Sequence, residues 1–113
     1  MARDIIKEED REEIEWAGIV RLVEGIILHV LDRISISNKW KNKDISMKTL
    51  LAKKEALKEM CTWMNGWQWD TWVNIYAKNN SYNSYYIKRK FESIRKKSVK
   101  VVNKRIHAKE NTT

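Results

Sequence analysis

The stretch Trp16-Ala17-Gly18-Ile19-Val20-Arg21-Leu22-Val23-Glu24-Gly25-Ile26-Ile27-Leu28-His29-Val30-Leu31-Asp32-Arg33-Ile34 decides the architecture. Its residues Trp16, Val20, Val23, Ile27, Val30 and Ile34 recur with spacing 4-3-4-3-4, and Ile19, Ile26 and Leu31 widen the stripe. That period belongs to a helix, and a stripe covering nearly half the cylinder belongs to a helix packed against two neighbours. The spacing predicts a first helix from about Lys7 to Ile34. Upstream the same stripe is taken by Glu9, Glu12 and Glu13, so either the helix overhangs the core or these acids face a basic neighbour. Gly18 and Gly25 lie seven apart on the opposite, mostly polar side. Each costs helix stability by about 1 kcal/mol; the pair is either tolerated or admits the close approach of another backbone.

Outward from this helix, nothing alternates with period two for long, and 113 residues include no proline. The fold class is all-α: a compact bundle of about four helices in a single domain (1–113), with 1–6 and 106–113 as fraying ends. Ser35 to Asp44 reads as a connection. A second helix follows over Ser46 to Met64, capped by Asp44 or Ser46, with Met47, Leu50, Leu57, Cys61 and Met64 inward. Asn65-Gly66 should stop it, with the glycine in the left-handed conformation. A short third helix (Gln68 to Lys78) turns Trp69, Trp72, Val73 and Tyr76 inward. After a turn at Asn79 to Asn83, a fourth (Ser84 to Asn103) buries Ile87, Phe91, Ile94, Ser98, Val101 and Val102.

The net charge of +8 is unevenly spread. Residues 84–113 hold ten lysines and arginines against two acids, whereas the first fifteen residues hold three against seven. A hydrophobic content of 42% with six tryptophans excludes a disordered chain. The single cysteine, Cys61, excludes an internal disulfide. The apolar stretch from Trp16 to Ile36 is broken by Arg21, Glu24, His29, Asp32 and Arg33, and the N-terminus leads into acids and not a signal core. The expectation is a soluble protein, cytoplasmic or nucleoid-associated, with no membrane contact. Abundant lysine, isoleucine and asparagine point to an A/T-rich genome, as in many microbes, phages and mobile elements.

The fourth helix is the functional candidate. On a wheel of 100° per residue, Lys88, Arg89, Lys90, Arg95, Lys96, Lys97, Lys100 and Lys104 fill the circumference outside the apolar arc, interrupted only by Glu92. Like charges at i,i+4 repel, and a phosphate-rich partner relieves that repulsion. Tyr85 and Tyr86 point away from the core at the head of this helix, where they can stack on bases or bond phosphates. A short helix, a turn and a longer basic helix have the outline of a helix-turn-helix, whose second helix leads into the major groove. On that outline Ser84, Tyr85, Lys88, Arg89 and Glu92 face base edges, and Arg95, Lys96 and Lys97 meet phosphate. The turn lacks the glycine usual in such motifs, and Asn79 and Asn80 stand where a buried aliphatic is expected. Lys39, Trp40 and Lys41 form a second candidate contact, with Trp40 either a stacking residue or a lid on the bundle.

The leading expectation is a small basic nucleic-acid-binding protein, with DNA ahead of RNA. Its contact set is Lys39, Trp40, Lys41, Tyr85, Lys88, Arg89, Arg95, Lys96, Lys97 and Lys100. The alternative is a protein-binding adaptor or inhibitor that docks on an acidic protein surface through Trp63, Trp67, Tyr82 and Tyr86. A homodimer is a third possibility, the acidic N-terminal run pairing with the basic helix of a second copy or covering its own. Nothing points to an enzyme. His29 and His107 lack metal-ligand neighbours, Asp32 beside His29 being ordinary for a solvated face, and Cys61 lies on an apolar stripe with Leu57 and Met64. No glycine-rich phosphate loop is present. No catalytic residue, metal or cofactor is expected.

Overall fold

The apolar periodicities become four helices in the computed structural model, which describes residues 8–111: α1 (Glu8–Ile34), α2 (Met47–Met64), α3 (Trp67–Asn80) and α4 (Ser84–Glu110). Among the described residues there is no strand, and each helix touches the other three. The result is an all-α bundle.

Val23, Ile27, Val30 and Ile34 of α1 are buried as the stripe requires, but Trp16 and Ile19 are each 41% exposed. The stripe outruns the bundle. α1 meets the last turn of α3 where Val20 and Glu24 lie against Tyr76 and Asn80. α3 ends there, so among the described residues nothing covers the earlier turns of α1. Of the two readings of the acidic run, the overhang is the one seen at Glu12 and Glu13, which are exposed and, among the described residues, unpaired with any cation of α4; the Glu9 side chain lies outside the described ones. Neither Gly18 nor Gly25 is approached by another backbone; a Cβ at either would meet nothing within 4 Å.

Ser46, not Asp44, caps α2: its Oγ accepts the Thr49 N–H at 3.2 Å. Asp44 instead accepts from Lys109 Nζ at 2.8 Å. Lys53 Nζ donates to the Arg33 carbonyl at 2.7 Å, which closes the C-terminal end of α1. Leu50, Leu57, Met60 and Met64 face the core, while Cys61 and Met47 are only half-buried. Gly66 departs from expectation. Its φ of −91° is not left-handed; it is the N-cap of α3, and Asn65 ends α2 in a helical conformation. A Cβ at Gly66 would lie 3.2 Å from the Trp63 carbonyl oxygen, so close approach is what favours glycine.

α3 begins at Trp67 and runs two residues past the expected Lys78. The turn shrinks to Ser81–Asn83, with Ser81 itself left-handed (φ 58°) and Asn83 capping α4 through the Tyr86 N–H. α4 continues to Glu110 instead of fraying after Arg105, because Ile106 is buried and Lys109 is tied to Asp44. Its buried face is Ile87, Phe91, Arg95, Ser98, Val102 and Ile106. That arc is turned from the expected one toward α2, its most extensive neighbour, so Ile94 is half-buried and Val101 exposed.

Candidate nucleic-acid interface

Opposite the buried arc of α4, Arg89, Lys90, Lys96, Lys97, Lys100 and Lys104 fall within about 120° of the helix circumference. All six are exposed, and among the described residues none has an acidic partner within ion-pair distance. From Arg89 to Lys104 the helix rises about 22 Å, so the six charges form a strip along one flank. Two shallow grooves, of about 650 and 840 Å3, run on either side and share Arg89, Ser93 and Lys97. The floor of the first includes Met64 and Trp69; Asn83, Tyr85 and Tyr86 wall the second.

The head of the strip is aromatic. Tyr85 and Tyr86 are exposed, with the Arg89 guanidinium 5.6 Å from the Tyr85 ring centroid and Lys90 Nζ 5.8 Å from that of Tyr86. Such contacts hold two cations over ring faces at about 0.5–1 kcal/mol each and leave them charged. The arrangement offers cations for phosphate and flat π-surfaces and a hydroxyl (Ser93) for more specific contacts.

Several residues singled out from the sequence lie elsewhere. Lys88 is half-buried and paired with Asp70 of α3, so its charge is already answered. Arg95, expected to meet phosphate, is buried: it clasps Glu92 through two nitrogens, with Nε to Oε2 at 3.1 Å. The hydrogen bonds from Arg95 hold the Glu92 carboxyl below the usual carboxylate range. Ser84 is half-buried. The exposed residues left to a groove on the helix-turn-helix outline are therefore Tyr85, Arg89, Lys96 and Lys97. Lys90, Lys104 and Ser93 were not in the expected contact set, although the helical wheel alone places them on this arc.

Trp40 is the lid of the two readings open to it. Half-buried against the core, it receives Arg105 over its ring at 5.9 Å, and Arg105 Nη2 donates to its carbonyl at 3.1 Å. Lys39 and Lys41 are exposed in the same loop, whose one 3-10 turn is Asn38–Trp40. They sit near Arg105, about 30 Å along α4 from Tyr85, and so are remote from the head of the strip. Of the tryptophan corner, Trp69 is core, 5.4 Å from Phe91, and Trp63 packs half-buried on Trp69 at 5.6 Å. Trp63 Nε1 also donates to Gln68 at 3.2 Å. The expected exposed pair is thus Trp67 alone, 76% exposed. Tyr82 is exposed with its ring edge-on to Tyr76.

Among the described residues no three His, Cys, Asp or Glu side chains gather as a metal site, and no helix is long and apolar enough to cross a membrane. Comparison with family models, curated proteins and solved structures gives no match.

Proposed function

We propose that the protein binds nucleic acid, duplex DNA in the first instance, through the solvent flank of α4. On this reading it is a small non-enzymatic regulator or accessory factor of the cytoplasm or nucleoid. One observation carries it: six exposed cations on a single arc, none within ion-pair distance of an acid of the described chain. Lysines and arginines so placed displace counterions condensed on a phosphate backbone, a gain in entropy that a solvated lysine face does not collect. An α-helix about 10–12 Å across fits a major groove about 12 Å wide. In that pose Arg89 can reach the O6 and N7 of a guanine, and Lys96, Lys97, Lys100 and Lys104 track the phosphates.

The test is a gel-shift comparison of duplex DNA, single-stranded DNA and RNA at two salt concentrations. Duplex binding that weakens with salt is expected. Lys96→Glu/Lys97→Glu should weaken it uniformly across sequences, whereas Arg89→Ala should reduce discrimination between sequences by about 1–3 kcal/mol. A chain that binds none of the three polymers at low salt sinks the proposal. The adaptor reading draws on the exposure of Trp67, a typical hot-spot residue. Capture of a host protein that survives nuclease treatment and is lost with Trp67→Ala would favour it.

A further inference from the structure

α1 carries a second stripe beside the one that fills the core. Glu12, Glu15, Ile19, Leu22, Ile26, His29 and Arg33 follow one another at spacing 3-4-3-4-3-4. That is the period of a helix seam, and it lies about 90° round the helix from Val23 and Ile27. Most of the stripe is open to solvent: Ile19 is 41% and Leu22 58% exposed, Glu12, Glu15 and His29 are exposed, and Ile26 and Arg33 are half-buried. Its chemistry is ordered. Acids occupy the N-terminal third, aliphatics the middle, and His29 and Arg33 the C-terminal third. Residues 8–15 as a whole hold six acids and one arginine.

A seam that is acidic at one end, apolar in the middle and basic at the other is complementary to itself when reversed. We infer that two copies of this chain associate through antiparallel α1 helices, about a two-fold axis beside Val20 and Arg21. Ile19 then faces Leu22 of the second copy, Glu12 faces His29, and Glu15 lies beside Ile26 at the edge of the apolar middle. Each contact occurs twice, as an isologous interface demands. A parallel pair would instead set acids on acids. The overhang has somewhere to go. Leu22, Ile26, His29 and Arg33 form one side of a groove of about 670 Å3, closed on the other by Met60, Trp63 and Trp72. The protruding turns of the second copy fill that groove, and Trp16 on their flank reaches the Met60–Trp63 wall. Gly25 lines the same groove with open space where a Cβ would stand, which lets the second helix come close. The flank of α4 takes no part, so the dimer presents two such flanks, an arrangement suited to two-fold-related duplex half-sites.

Sedimentation of the full chain without nucleic acid tests this independently of the proposed DNA binding. A concentration-dependent monomer–dimer equilibrium is expected. Leu22→Glu should weaken it at least thirtyfold, about 2 kcal/mol, while the circular dichroism of the bundle is kept. For the register, Glu12→Cys/His29→Cys in a Cys61→Ser background should oxidise to a covalent dimer, and neither single cysteine should, since residue 12 of one copy and residue 12 of the other lie about 25 Å apart along the seam. A monomer at every concentration, growth past the dimer, an unchanged equilibrium in Leu22→Glu, or single cysteines that cross-link as readily as the pair would each overturn the inference.

Discussion

Arg95 and Lys96 are neighbours in sequence with opposite fates. Arg95 lies on the buried arc clasped to Glu92; Lys96 stands in solvent, in no ion pair among the described residues. Arg95→Ala strips a half-buried carboxylate of its charged hydrogen bonds and should cost about 1–3 kcal/mol in urea unfolding, with little effect on nucleic-acid binding beyond that. Lys96→Ala should change stability by no more than about 0.5 kcal/mol and weaken binding. Glu92 adds a pH signature. Because its carboxyl titrates below the ordinary range in the folded chain, its pairing stabilises fully above the unfolded carboxylate pKa and is lost as pH falls through the depressed one. The urea midpoints of the native chain and Glu92→Gln should therefore differ near neutral pH and converge in acid. Lys53 runs the other way: burial lowers its pKa, so its desolvation penalty is relieved as pH rises toward the ordinary lysine value.

Helix identities were legible because 3.6-residue periodicity is local, and all four helices lie where their stripes place them. The ends were less so, because distant partners set them. Nothing near Lys109 announces Asp44, 65 residues away, yet that ion pair and buried Ile106 hold the last turns of α4. Ile106→Ala should cost about 2–4 kcal/mol, far more than a substitution in a frayed end. The turn before α4 shows the same limit, since its left-handed residue is a serine where glycine is the usual signal. Ser81→Gly should raise the melting temperature, relieving roughly 1 kcal/mol of backbone strain. The candidate site divides likewise. Arg89, Lys96, Lys97 and Lys100 were readable from the wheel alone, whereas the loss of Lys88 depends on Asp70 from another helix, and that of Arg95 on a buried arc turned toward α2.

Taken together, the chain separates its charge along and across the bundle: an acidic overhang on α1, a cationic flank on α4, and no ion pair between them among the described residues. Separation of this kind is costly in isolation and useful to a molecule that meets a polyanion, because the cations stay available and the acids repel approach from the wrong end. The salt dependence of duplex binding measures that use most directly. With phosphate contacts from Lys96, Lys97, Lys100 and Lys104, log K should fall against log salt with a slope of about −3.6, and Lys96→Glu/Lys97→Glu should bring the slope nearer zero by about two. Binding that is indifferent to salt, or a slope the double variant leaves unchanged, would contradict a role for the α4 flank.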